Sequence, residues 1–112
     1  MKKEKFLGFE KCMELMRKTD SQLQEDGFHF LLPYASDYLN ELIREFKEEK
    51  DHGLKCWLLE LICESKSLES FEILKENLSN DSESLRNWAI HGLKNLDSKE
   101  AQTELFKIGI KK

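Results

Sequence analysis

Residues 71–96 read FEILKENLSNDSESLRNWAIHGLKNL. Phe71, Ile73, Leu74 and Leu78 recur at helical spacing, and so do Leu85, Ala89, Leu93 and Leu96. The intervening Asn-Asp-Ser breaks the pattern, so the stretch predicts two amphipathic helices joined by a turn. The same arrangement lies upstream. Leu54-Lys55 precedes Trp57, Leu58, Leu61 and Ile62, just as Leu85-Arg86 precedes Trp88, Ala89, Gly92 and Leu93. Ser36, Ser67 and Ser98 are spaced evenly at that same offset, each with an acidic residue within two positions and then a helical pattern. Serine favours such starts because its hydroxyl accepts a bond from an unpaired N–H of the first turn. Matching caps, tryptophans and basic residues at one offset define an internal repeat of helical hairpins.

Outward from this unit, Leu39, Leu42, Ile43 and Phe46 follow Ser36, while Ala101, Leu105, Phe106 and Ile108 follow Ser98. At the other end, Phe6, Phe9, Cys12, Met13, Leu15 and Met16 predict an amphipathic helix over 3–18, ended or followed by a cap at Thr19, Asp20 and Ser21. Residues 20–35 fit a helix or an ordered loop; Gly27 reads as a break, and Pro33 disfavours a helical residue before it. The expected organisation is one domain over 1–112: an N-terminal cap (1–35), repeats over 36–66 and 67–97, and a capping helix over 98–112. A chain of 112 residues supports one core.

With 36% charged residues and a mean hydropathy of −0.62, the apolar stripes are narrow and the other helix faces solvated. No apolar run approaches the roughly 20 residues that a bilayer requires. The opening MKKEKFLGFEKC mixes charge into its apolar positions, unlike a signal peptide, and three cysteines then predict reduced thiols in a cytoplasmic protein. Residues 1–20 hold six Lys/Arg against four acids, and Lys107, Lys111 and Lys112 make the tail basic. The body, 21–106, holds nine Lys/Arg against 18 acids, a net of −9. Such a body repels phosphates and attracts a basic partner, which argues against nucleic-acid binding. A helical-repeat DNA glycosylase would need a basic face, to which only Lys55, Arg86 and Lys94 could contribute.

The 71–96 stretch resembles a HEAT repeat. Asp81 matches that family's turn acid, Leu85-Arg86 its hydrophobic–Arg pair, Ala89 its small packing position and Leu93 its closing apolar position. Residues 36–64 are a weaker copy, with Lys50-Asp51, Leu54-Lys55 and Leu58. The family's proline is missing from both first helices, and Ser82 stands where a proline is frequent. The resemblance, strongest over 67–96, implies an all-α fold: a short right-handed stack of about three hairpins, five to seven helices in all. It also implies that Asp81 and Arg86 join a ladder of polar contacts between neighbouring turns, and that the second helices line a concave binding surface.

Catalytic and metal chemistry find little support. His29, His52 and His91 stand apart, and Cys56 and Cys63 sit two helical turns from each other, too far for a tetrahedral zinc site without further ligands. No Gly-rich loop, nucleophile elbow or HExxH pattern is present, and a thiol among Trp57, Leu58, Leu59 and Leu61 reads as core rather than as a nucleophile for His91. The two tryptophans read as packing between repeats. With Leu85, Ala89, Leu93 and Leu96 inward at about 100° per residue, Asn87, Ile90, His91 and Lys94 lie opposite. The repeat offset maps them onto Cys56, Leu59, Glu60 and Cys63. This strip is either open to a partner, or covered at Cys56, Leu59 and Cys63 by the N-terminal segment.

The candidate partner-binding residues are therefore Leu59, Glu60, Cys63, Glu64, Glu83, Asn87, Ile90, His91 and Lys94. Together with the acidic body they predict a monomeric, cofactor-free protein-binding module and not an enzyme. In profile rather than in motif, the chain resembles the small HEAT-like immunity proteins. That resemblance implies neutralisation of a basic toxin domain, such as a nuclease of a contact-dependent growth inhibition system, by occlusion of its active site. The competing expectation is an adaptor or assembly factor for an endogenous complex.

Overall fold

A computed structural model of the chain describes residues 6–110. Residues 3–5 of the expected first helix, and the tail lysines Lys111 and Lys112, lie outside them. The described residues form seven α-helices and no strand: α1 (Phe9–Met16), α2 (Ser21–Leu31), α3 (Leu39–Glu48), α4 (His52–Glu64), α5 (Phe71–Glu76), α6 (Glu83–Leu96) and α7 (Lys99–Lys107). Short 3-10 turns at Leu32–Tyr34, Leu68–Ser70 and Asn77–Ser79 flank α2 and α5. Successive helices pair, α1 with α2, α3 with α4 and α5 with α6, while α4 also packs on α6 and α6 on α7. The molecule measures 44 × 32 × 20 Å, so its thin dimension is two helices deep.

Each second helix starts in the same way. Asp20 Oδ1 accepts from the amides of Gln22 and Leu23, Asp51 Oδ2 from Leu54 N at 2.9 Å, and Ser82 Oγ from Leu85 N at 3.3 Å. These caps keep the repeat offset. Four residues after each cap, a long polar side chain reaches back to a carbonyl of the preceding helix or turn. Gln24 Nε2 donates to Lys18 O (2.6 Å), Lys55 Nζ to Phe46 O (3.0 Å) and Arg86 Nη1 to Asn80 O (2.7 Å). The orphan carbonyls at the C-terminal ends of first helices and turns thus acquire donors. Residues 20–35, ambiguous in sequence, are a helix and a 3-10 turn in this same register.

The structure departs from the sequence expectations at three points. Gly27 does not break α2; it is buried where α2 crosses α1, and a Cβ there would stand 2.7 Å from the carbonyl oxygen of Cys12 and 2.9 Å from Leu15 Cβ. Ser36 caps nothing: after the Leu32–Tyr34 turn the chain continues in turns, and α3 begins at Leu39 behind Tyr38, which makes no side-chain cap. Ser67 and Ser98 do cap, accepting from Glu69 N and Ala101 N, because Lys66 and Asp97 end the preceding helices in the left-handed region (φ 52° at each) and free the chain to restart. Third, Arg86 grips the main-chain carbonyls of Asn80 and Asp81 within its own turn, rather than forming a side-chain ladder between turns. The contact that does cross between the starts of α4 and α6 is His52 Nε2 with Ser82 Oγ, 2.8 Å apart.

Among the helical glycines, Gly27 and Gly53 should separate by sign when replaced by alanine. Gly27→Ala should lower unfolding stability by about 2 kcal/mol, since the obstructing atom is backbone. Gly53→Ala, whose nearest neighbour would be Asp51 Oδ2 at 3.5 Å, should raise it by about 0.5 kcal/mol. Urea denaturation of the two variants beside wild type checks both.

Candidate functional site

The candidate strip divides along its length. Leu59 and Cys63 are 0% and 1% exposed, so neither meets a partner, a correction to their assignment to the binding surface. The cause is the central place of α4: it has α3 on one side and α6 on the other, and its buried arc widens to Leu58, Leu59, Leu61, Ile62 and Cys63. The Cys63 thiol donates to Trp88 O at 3.1 Å. It fits only because Gly92 opposes it, where a Cβ would approach Sγ to 2.6 Å. Burial and the carboxylates of Glu64 and Glu60 push this thiol up to about 12, far from the thiolate range. Cys56, half-buried, lies 4.0 Å from the His52 ring, and burial raises its thiol also.

Glu64, Glu83, Asn87, His91 and Lys94 are exposed, and Glu60 and Ile90 are half-buried. Glu83 opens α6 and Lys94 lies near its other end, so these residues run most of that helix's length. Trp57 packs on Phe28 with ring centroids 5.2 Å apart, joining α4 to α2, while Trp88 meets His91 edge-to-face at 5.5 Å. Both indoles are half-buried at the margin of the core.

Sequence reasoning missed His29. It is exposed on α2, and it precedes Glu60 by the same interval by which Glu60 precedes His91. Glu60 is within electrostatic reach of both histidines and of Glu64. Its carboxyl is held above the ordinary range, first by burial and then by Glu64, with the histidines acting in the opposite direction. No ion pair or hydrogen bond to the Glu60 side chain occurs among the described residues. Glu45 and Glu49, on the α3 side, differ: both are taken by Arg17. The signal for His29 was the cap and donor register at Asp20 and Gln24, once the repeat offset is carried upstream.

A cleft of about 530 Å³ lies between the α1–α2 turn and the start of α4, lined by Arg17, Lys18, Gln24, Glu49, Asp51 and Trp57. Arg17 is engaged with Glu49 there, and Asp51 is spent on its cap. Among the described residues, no three His, Cys, Asp or Glu side chains converge as metal ligands, and no helix is long and apolar enough to cross a membrane. The chain matches no protein-family model, no curated protein and no solved structure.

Two outcomes follow from this geometry. In the native protein Ellman's reagent should modify Cys56 alone, with Cys12 and Cys63 reacting only after denaturation; rapid labelling of Cys63 would remove it from the α4–α6 interface. The Glu60 carboxyl, higher in the fold than in the unfolded chain, destabilises the fold where it is ionised. That cost is absent at a pH low enough to protonate it in both states and grows as pH climbs through the carboxylate range. Glu60→Gln should therefore raise the melting temperature at pH 7 and leave it unchanged at pH 3.

Proposed function

We propose that this chain is a non-catalytic protein-binding module, a short right-handed stack of HEAT-like hairpins α1–α2, α3–α4 and α5–α6 closed by α7. Its partner meets the face of the second helices. The observation that carries this reading is Glu60, a half-buried carboxylate with no cation of its own, set between His29 and His91 on an acidic body. A cation brought by a partner would give that carboxylate the ion pair it lacks, and the surrounding negative field would speed the encounter. The most specific form of the reading is an immunity protein of the cytoplasm that neutralises a basic toxin domain, such as a nuclease of a contact-dependent growth inhibition system. In that role Glu60, Glu64 and Glu83 would engage the Lys and Arg that a nuclease directs at phosphate, and so occlude its active site.

Co-expression with a toxin gene found beside its own tests this directly: the chain should restore growth, and equal killing with and without it would overturn the immunity reading. The adaptor reading would then be favoured by a growth defect on deletion in a strain without the toxin. Within the complex, Glu64→Lys should weaken binding about tenfold, more at low than at high salt, with the far-ultraviolet dichroism unchanged. Glu72→Lys, on the exposed side of α5, should leave affinity alone. Equal effects from the two reversals would show that charge, not the α2–α4–α6 face, governs binding.

A further inference from the structure

At the cleft between the α1–α2 turn and the start of α4, two contacts that the chain makes further along are missing. Where α4 meets α6, His52 crosses to Ser82, with Nε2 2.8 Å from Oγ. Where α2 meets α4, the repeat offset puts Ser21 in the place of His52 and Asp51 in that of Ser82, and among the described residues no hydrogen bond joins the two. The donor four residues after the cap is a cation on α4 and α6, Lys55 and Arg86, but the uncharged Gln24 on α2. We propose that this cleft is a recognition site for the arginine side chain, whose guanidinium supplies the cation that the chain omits here. The inference does not rely on the second-helix face as the binding surface.

Charge and surface both fit that group. Arg17 and Lys18 line the cleft, but their charges are already met: Arg17 is paired with Glu45 and with Glu49, and Lys18 Nζ lies 3.9 Å from Glu14. Asp51 joins these three carboxylates, so the cleft and its ion pairs carry an excess of negative charge that favours a cation over an anion. The cap takes only Asp51 Oδ2, which accepts from Leu54 N at 2.9 Å; Oδ1 has no partner among the described residues. A guanidinium N–H can donate to Oδ1 and leave the cap intact. Met16, Leu54 and the half-buried Trp57 give the cleft an apolar wall for the methylenes and the flat, weakly hydrated head of an arginine. The chain makes a contact of this kind itself, with Lys55 Nζ 4.1 Å from the centroid of the Phe46 ring. Gly53 leaves its part of the wall bare, since a Cβ there would have only Asp51 Oδ2 near it, at 3.5 Å. The cleft volume of about 530 Å³ is within the range of ligand sites.

N-acetyl-arginine amide serves as the probe, titrated into isotope-labelled protein while nuclear magnetic resonance follows the backbone and indole N–H signals. The uncharged isostere N-acetyl-citrulline amide is the control. The Gly53 amide and the Trp57 indole should shift saturably with the arginine compound and not with citrulline, while the Trp88 indole stays in place. Asp51→Asn, which retains a capping side chain for α4, should weaken binding about fivefold or more. Gly53→Leu should fill the cleft and abolish the shifts, with circular dichroism verifying that both variants keep the fold. Free arginine, titrated in parallel, separates the sources: tighter binding of the capped compound assigns the site to arginine within a polypeptide, and tighter binding of the free form assigns it to the amino acid. Shifts that are absent or unsaturable, that citrulline reproduces, or that persist at full affinity in both variants overturn the site and leave the second-helix face untouched.

Discussion

The separation of α4 and α6 is fixed where Gly92 meets Cys63. Any side chain at Gly92 would enter the space of the Cys63 sulfur and of Leu74, both buried. Because the helices approach this closely, the Cys63 thiol reaches Trp88 O, and Leu58, Ile62, Leu85, Ala89 and Leu93 close into one apolar interior. Close packing of this kind leaves little room for adjustment, since a single added carbon has nowhere to go. The same device recurs at the other end, where Gly27 lets α2 lie against the main chain of α1. Helix propensity alone disfavours both glycines by about 1 kcal/mol each. Their place in the middle of helices is explained by what a Cβ would strike.

Given that spacing, the second helices must enter the layer at one height, and the polar contacts at their starts accomplish this. Asp20, Asp51 and Ser82 hold the first-turn amides, while Gln24, Lys55 and Arg86 tie each second helix to the end of the segment before it. The donor differs in charge from one pair to the next, yet the acceptor is always a main-chain carbonyl. What recurs is therefore hydrogen-bond geometry and not electrostatic attraction. His52 and Ser82 then connect the starts of α4 and α6 directly.

These physical facts explain what the sequence disclosed. All-helical architecture, the turn at residues 79–82, the caps at Ser67 and Ser98 and most buried positions follow from periodicity and capping chemistry. The register upstream of Ser36 stayed hidden for two reasons. Buried positions of α1 and α3 (Phe9 and Leu39, Cys12 and Leu42, Met16 and Phe46) fall one position short of the offset that the second helices keep at Leu31, Ile62 and Leu93. The aromatic residues Phe6, Phe9, Tyr34 and Tyr38, which stack on one another there, also have no counterpart in the later pairs. Leu59 and Cys63 misled because helix periodicity gives direction but not how many neighbours a helix has. On α6 the corresponding Ile90 and Lys94 remain half-buried and exposed, whereas α4 is enclosed from both sides.

The second-helix face combines features that stability alone does not favour. Glutamine at position 60 would fill the same space without the burden of a partly desolvated charge, and a lysine at 29 or 91 would neutralise it from within. The chain instead keeps a carboxylate raised by burial and places another at Glu64, with His29 and His91 within electrostatic reach. Three other half-buried acidic side chains have cations within the chain: Glu45 and Glu49 have Arg17, and Glu104 has Lys75 and Lys107. Glu60, half-buried as they are, has no ion pair among the described residues. A partly desolvated carboxylate of this kind lowers the stability of the fold wherever it is ionised, so the choice of glutamate at position 60 is not explained by packing.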